Sequence, residues 1–311
     1  MRETPLEQWR LGDVTLLVKR DDLTTPSLGG NKARALELLL AGAGPDHLLL
    51  TVGPTGSTHA LAVAHFGARL GAATRVFTWP QEEHDVSRAT AARLRELATV
   101  STTHSPVAAM LRASARRLTS RSRWIPAGGS SALGALGHAN AAVELADQLA
   151  RDGAPPPDTL VVPLGTGGTA AGLLLGLALA ELPTRVIGVR VVPRLVANRN
   201  RVLRLARQAA SLFSRLADVA PPSIDGSRFV VEEAQYGGAY ARETDASRAT
   251  AWLVRETGGP ALEGTYSAKA LAAAIEHARR APDERVLFWL TFDGRWLAPD
   301  ASDTVVSKRG E

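Results

Sequence analysis

Short apolar runs alternate along the chain with longer stretches in which apolar residues return every three or four positions. This alternation is typical of parallel strands covered by helices, because buried strands are short and apolar while crossover helices are longer and amphipathic. The pattern predicts an α/β protein. Predicted strands are residues 14–19, 47–52, 74–78, 160–164, 185–192, 229–231 and 286–291. Predicted helices are residues 31–41, 57–70, 87–97, 106–118, 134–150, 169–182, 198–216, 245–257 and 267–281.

One segment stands out as a linker. Residues 151–158 contain three successive prolines, which stop a helix and favour an extended chain. We therefore expect a domain boundary there.

Composition narrows the function classes. The chain has 311 residues, of which 45% are hydrophobic, which suffices for a packed core. It has no cysteine, no apolar run of membrane-spanning length and no apolar leader at its start, so we expect a cytoplasmic protein with no membrane partner and no metal site. The net charge is +5, but acidic and basic residues are interspersed and no nucleic-acid motif is present, so nucleic acid is not an expected partner.

A lysine in a glycine-rich turn is the first candidate for chemistry. The chain has only four lysines, and Lys32 follows Gly29-Gly30-Asn31 where a predicted strand leads through a loop into a helix. In the first helical turn the positive end of the helix lowers the pKa of an ammonium group, which favours the nucleophilic free amine. The alternative is an ordinary surface lysine at an exposed helix start.

A glycine-rich turn after the predicted strand 160–164 is the second candidate. Backbone amides in such a turn, at the start of a helix, form a cradle for phosphate. A dinucleotide fingerprint requires an acid at the end of the next strand, where Arg190 stands, so a nicotinamide cofactor is disfavoured. A close helix–strand crossing without ligand remains the structural alternative. The residues of this turn are Gly165, Thr166, Gly167, Gly168 and Thr169.

Two further turns precede predicted helices. Ser57, Thr58 and His59 offer hydroxyls and free amides that suit a carboxylate, although ordinary N-capping with a packed histidine explains them equally well. Tyr266 and Ser267 begin another helix, where a cap with a buried tyrosine is the simple interpretation.

The order of these turns resembles the 1-aminocyclopropane-1-carboxylate deaminase and D-cysteine desulfhydrase family of pyridoxal-phosphate enzymes. The resemblance covers nearly the whole chain, through the motifs KRDDL, GGNKxRxLE, the STH loop, PAGGSSALGALG, GTGGTAAG and TYSAK. It implies a tryptophan-synthase-β-like (fold type II) architecture with mostly parallel sheets flanked by helices. We expect a large domain of residues 1–46 and 156–311, a small inserted domain of residues 47–155, and a homodimer.

The resemblance also implies roles for the candidate residues. Lys32 would carry pyridoxal 5'-phosphate as a Schiff base, and residues 165–169 would hold its phosphate. Ser57, Thr58, His59 and Tyr266 would bind the substrate, with Ser57 and Tyr266 also catalytic. Thr58, Ser267 and Thr291 would contact the cofactor.

Several positions depart from the family pattern. Thr58 replaces an asparagine, His138 a tyrosine, Glu263-Gly264-Thr265 an Asp-Pro-Val, and Phe292-Asp293 a glycine pair, which predicts an altered pocket wall. Ser267 and Thr291 match the desulfhydrases, because deaminases place a glutamate and a leucine there.

The expected activity is therefore α,β-elimination on a small amino acid, such as D-cysteine or a β-substituted D-alanine, giving pyruvate, ammonia and a leaving group such as sulfide. Ring-opening deamination of 1-aminocyclopropane-1-carboxylate and β-replacement remain alternatives. A pyridoxal-phosphate-binding protein without catalysis is the alternative from another class.

Overall fold

The computed structural model describes residues 2–119 and 121–297. Its larger sheet has six strands in the order β1-β2-β10-β7-β8-β9, and all neighbours are parallel except the antiparallel pair β1 and β2. A smaller sheet has four parallel strands in the order β5-β4-β3-β6. The strands are β1 Leu6–Leu11, β2 Val14–Lys19, β3 Leu48–Pro54, β4 Ala73–Trp79, β5 Thr99–Thr102, β6 Ser122–Trp124, β7 Thr159–Leu164, β8 Arg185–Arg190, β9 Phe229–Glu232 and β10 Val286–Trp289.

Helices flank both sheets, as expected for crossovers between parallel strands. The helix that follows β7 is apolar on all sides and largely buried, whereas α7 has an apolar face against the core and an arginine-rich face in solvent. The helices are α1 Asn31–Leu39, α2 Thr58–Arg69, α3 Asp85–Leu97, α4 Pro106–Thr119, α5 Ala132–Arg151, α6 Gly168–Leu179, α7 Arg199–Ala217, α8 Asp245–Glu256 and α9 Ser267–Arg280.

Apolar residues pack on both faces of the six-stranded sheet. Val162 of β7 packs with α5 and α6 on one face, while Val161 packs with α9 on the other. Successive strand residues point to opposite faces, so a strand buried on both sides reads as a continuous apolar run. This explains why β7 was predicted at residues 160–164.

The α/β class and all seven predicted strands are confirmed, with differences at the ends. β10 ends at Trp289 rather than at 291, and β8 ends at Arg190 rather than at 192. Strands β1, β5 and β6 were not predicted. β5 and β6 have only four and three residues and are mostly half-buried, so they carry little apolar pattern, and β1 is an edge strand with mixed polarity.

The division into domains stays a proposal. The whole four-stranded sheet lies within the proposed insertion at 47–155, as does α5. However, α5 packs most extensively on α6 and α1, and residues of α5 share an apolar cluster with β7. This packing favours placing the second boundary before α5 rather than at the proline-rich segment.

Within the part of the chain that the structure describes, no helix is both long enough and apolar enough to cross a membrane.

Candidate active site

Lys32 lies in the first turn of α1. Its side chain is half-buried, and its Nζ has one hydrogen-bond contact within the described ranges, with Asn31 Oδ1 at 3.3 Å. Burial lowers the pKa of Lys32 to about 8, although the carboxylate of Glu263 opposes the shift. A substantial fraction of the amine is therefore unprotonated near neutral pH, as a nucleophile requires.

The residues on either side of Lys32 fix the turn. Gly30 has a φ of 101°, which favours glycine, and an added Cβ would lie 2.3 Å from the carbonyl oxygen of Thr291. That same carbonyl accepts the N–H of Asn31 at 3.1 Å. The side-chain amide of Asn31 donates to Thr169 Oγ1 at 2.8 Å, so the turn that contains Lys32 is hydrogen-bonded directly to the predicted phosphate loop.

The loop of residues 165–169 has the geometry of an anion cradle. It joins β7 to α6, and Gly167, at the N-cap, adopts a left-handed φ of 93°. Ser130, from the turn before α5, faces it: Ser130 Oγ accepts the N–H of Gly168 at 3.1 Å and lies 2.6 Å from Thr166 Oγ1. Amides and hydroxyls of two turns thus converge at one helix start.

Two histidines flank Lys32. His59 and His138 are both buried; the His59 ring has a backbone contact at Pro126, whereas His138 Nδ1 has no hydrogen-bond partner among the described residues. Burial, followed by the positive charge of Lys32, lowers the pKa of each to about 3, with Arg34 adding to the effect on His138. Both imidazoles are therefore neutral at pH 7, so they add no positive charge next to Lys32.

Tyr266 and Ser267 approach from the start of α9. The Tyr266 ring lies against Gly165, where an added Cβ would be 3.2 Å from Tyr266 Cε1. Its hydroxyl lies 2.8 Å from that of Tyr240, and burial raises its pKa well above the ordinary value. The Ser267 hydroxyl is fully buried and lies near the Glu263 carboxylate.

Ser57 and Thr58 begin α2. Ser57 Oγ is the N-cap acceptor for the N–H of Ala60 at 3.2 Å, so the capping interpretation describes its contact in this structure. His59 is buried and its Nε2 lies 3.2 Å from Thr51 Oγ1. Thr58, the first residue of α2, is half-buried.

The Phe292-Asp293 departure has a structural role. Asp293 Oδ2 accepts the N–H of Gly29 at 2.9 Å, and Oδ1 pairs with Arg295 Nε at 2.7 Å. Its charge is therefore neutralised while it stabilises the turn before Lys32.

Thr291 is buried, and its carbonyl accepts a hydrogen bond from that turn. Its predicted contact with the cofactor stays a proposal.

Three contributors were not assigned roles from sequence: Asn31, Ser130 and Glu263. Asn31 precedes the lysine and Ser130 follows a glycine pair at a helix start, so both carried a recognisable pattern. Glu263 was noted only as a departure. Its carboxylate accepts three backbone N–H groups at the start of α9.

These residues fit pyridoxal phosphate. The loop of residues 165–169 with Ser130 offers donors to a phosphate, and the Lys32 amine is free to react with an aldehyde. A buried polar atom without a partner needs a ligand or water to satisfy it, and His138 Nδ1 has no partner among the described residues.

Comparison with known proteins gives the family. A family model described as "Pyridoxal-phosphate dependent enzyme" matches residues 1–291. The chain belongs to the pyridoxal-phosphate-dependent enzymes. The family confirms the cofactor and the enzyme class predicted from the motifs.

Named relatives within the family differ in reaction. The chain is 34% identical over 289 residues to nocardicin C-9' epimerase of Nocardia uniformis subsp. tsuyamanensis, covering 89% of this chain and 85% of the relative. It is 31% identical over 291 residues to D-cysteine desulfhydrase of Serratia proteamaculans (strain 568), covering 88% and 85%. A solved structure of an "ACC deaminase homologue" superposes with a TM-score of 0.78 at 26% identity, covering 94% of this chain and 90% of that one. The predicted resemblance and the fold type II architecture are therefore confirmed.

Proposed function

We propose that this pyridoxal-phosphate enzyme carries its cofactor on Lys32 and catalyses α,β-elimination on a small amino acid, D-cysteine or a β-substituted D-alanine. The observation that carries the proposal is the Lys32 amine, which has no ion-pair partner among the described residues, has a lowered pKa and is tied through Asn31 to the phosphate loop. A desulfhydrase relative at 31% identity supports the reaction.

When bound, the cofactor supplies an electron sink for the carbanion at the substrate α-carbon. Residues 165–169 and Ser130 would bind its phosphate, and Ser267 and Thr291 would contact the cofactor. Ser57, Thr58 and His59 bind the substrate carboxylate. The Lys32 amine would remove the α-proton of the substrate, since its pKa of about 8 is close to working pH.

Ser267 supports elimination. It is the residue after Tyr266, and its buried hydroxyl carries no charge. A hydroxyl beside a pyridine nitrogen stabilises the protonated nitrogen less than a carboxylate does. This favours expulsion of a good β-leaving group over ring opening.

Epimerisation at the α-carbon is a second candidate. A relative named as an epimerase shares 34% identity with the chain. Burial raises the pKa of Tyr266 well above its ordinary value, so its hydroxyl stays protonated. Elimination and epimerisation then share removal of the α-proton, and they differ in whether a β-substituent leaves or a proton returns to the opposite face.

One set of assays separates these reactions. Pyruvate from D-cysteine or β-chloro-D-alanine, with little 2-oxobutyrate from 1-aminocyclopropane-1-carboxylate, is the expected result. Exchange of the α-hydrogen in D₂O with inversion of the amino acid and no pyruvate would replace elimination by epimerisation. Faster ring opening than elimination would contradict the argument from Ser267 and Thr291.

The assembly and location are also proposals. We propose a cytoplasmic homodimer, which rests on the family resemblance and on the composition. Sedimentation equilibrium of the purified protein tests the dimer, and a monomer at micromolar concentration would contradict it.

A further inference from the structure

A buried carboxylate organises the start of α9. The Glu263 side chain is 6% exposed. Its Oε2 accepts the N–H groups of Thr265 and Tyr266, each at 2.8 Å, and its Oε1 accepts the N–H of Ser267 at 2.6 Å. One side chain thus fixes three consecutive backbone amides that the helix itself leaves without acceptors.

Those amides belong to the residues that face the cofactor loop. Tyr266 packs on Gly165 and its hydroxyl lies 2.8 Å from that of Tyr240, while the buried Ser267 hydroxyl lies near the Glu263 carboxylate itself. Side-chain direction follows from backbone direction in the first turn of a helix. The position of both hydroxyls therefore depends on Glu263.

Glu263 is also a negative charge without an ion-pair partner among the described residues. The groups that face it are Lys32 of α1, Lys269 of α9, the phenols of Tyr240 and Tyr266, and Glu243, whose carboxylate lies against Gly264. Lys269 Nζ is held by the carbonyl of Tyr236 at 2.9 Å.

The pKa of Glu263 falls within the working pH range. Burial raises its pKa to about 7, against the three amides, which favour the carboxylate. At pH 8 the group is mostly ionised, and its field favours positive charge at Lys32.

We propose that Glu263 is a positioning residue, which aligns Tyr266 and Ser267 with the cofactor loop and whose negative charge stabilises positive charge at Lys32. The inference rests on the proposed function only in placing the cofactor on Lys32. It assigns Glu263 two separable effects, one of geometry and one of charge.

Two variants separate these effects in the holoenzyme. E263Q keeps the length and removes the charge, while E263D keeps the charge but is one methylene too short to reach all three amides. E276Q is the matched control, because Glu276 is an exposed residue of the same helix. For each protein, the cofactor absorbance is titrated with pH, the Kd for pyridoxal phosphate is measured, and kcat and KM are determined at pH 8 with D-cysteine.

We expect kcat to fall about 100-fold in both Glu263 variants, with a smaller change in KM, because small misplacements of reacting groups cost that much. The pH midpoint of the cofactor absorbance should fall by about one unit in E263Q and stay in place in E263D. E276Q should match the original protein in every measurement.

A purely structural cap gives a different result. Glu263 variants that lose thermal stability, but keep the original kcat per bound cofactor and the original absorbance midpoint, would overturn the proposal. If E263Q does not fold, E263D decides: an unchanged kcat overturns the proposal, and a reduced kcat with an unchanged midpoint supports it.

Failure of the proposed reaction is distinguishable. An original protein that binds the cofactor on Lys32 but does not act on D-cysteine contradicts the reaction, while the absorbance midpoints still test Glu263. Cofactor attached elsewhere would contradict both.

Discussion

Two lysines of this chain have opposite surroundings. Lys19 is fully buried, and its Nζ donates to Glu144 at 2.6 Å, to Gln148 at 2.5 Å and to the carbonyl of Thr4 at 2.7 Å. Lys32 has a single contact at 3.3 Å. The ammonium group of Lys19 donates all three of its protons in hydrogen bonds, whereas the amine of Lys32 is free to react.

The same contrast appears within α1. Arg34 pairs with Asp21 at 2.8 Å and with Glu144 at 2.7 Å, and these bonds join α1 to α5 and to the loop after β2. Burial opposes ionisation of Glu144, but hydrogen bonds from Arg34 and Lys19 hold its pKa at about 2. Residues two apart in a helix point to opposite sides, so Arg34 anchors the helix that presents Lys32. The fully paired charges around Glu144 stabilise the fold, whereas the unpaired Lys32 is available to bind a ligand.

Substitution at Lys32 should affect turnover, and substitution in the paired cluster around Lys19 should affect the free energy of unfolding. K32A should abolish turnover, because the chain then lacks the amine that binds the cofactor covalently and removes the α-proton. Thermal stability without added cofactor should not fall and should rise somewhat at neutral pH, since Lys32 makes no ion pair among the described residues and burial disfavours its positive charge in the folded chain. Turnover in K32A with cofactor present would contradict the assignment.

The opposite result is expected at Glu144. E144Q leaves the buried charges of Lys19 and Arg34 without their shared partner, which should lower the free energy of unfolding by about 3–5 kcal/mol. Urea unfolding monitored by circular dichroism measures this loss. A loss below about 1 kcal/mol would show that the paired cluster is not a structural anchor.

The reactivity of Lys32 should titrate near pH 8. Its pKa is about 8 in the folded chain and 10.5 ordinarily, so between these values only the unfolded chain holds the proton. Through this group the free energy of unfolding therefore rises with pH across that window. The rate of acetylation of Lys32 in cofactor-free protein, followed by peptide mass spectrometry, should have a midpoint near pH 8, against a midpoint near 10.5 for the same peptide in urea.

A smaller effect separates capping from binding at Ser57. S57A and S131A each remove an N-cap hydroxyl, from α2 and α5, and each should cost about 1 kcal/mol. Only S57A should also raise KM for the amino acid. Equal KM values in the two variants would leave Ser57 as a cap alone.

The sequence predicted the elements with strong periodicity and the turns that begin helices. Lys32 and residues 165–169 were predicted because glycines before a helix start constrain the backbone locally. Ser130 acts through contacts with residues distant in the chain, which periodicity cannot reveal. Glu263 acts locally, on the backbone amides of residues 265–267, and carried no signal beyond its departure from the family motif. Asp293 was expected to alter the pocket, but it pairs with Arg295 and Gly29, a partnership set by tertiary packing.

The central claim is that the unpaired lysine, and not a paired one, carries the cofactor. Borohydride reduction of the purified yellow protein, followed by proteolysis and mass spectrometry, locates the attachment directly. We expect the reduced cofactor on the peptide containing Lys32. Attachment at Lys19 or Lys269, or a colourless protein that takes up no pyridoxal phosphate, would contradict the claim.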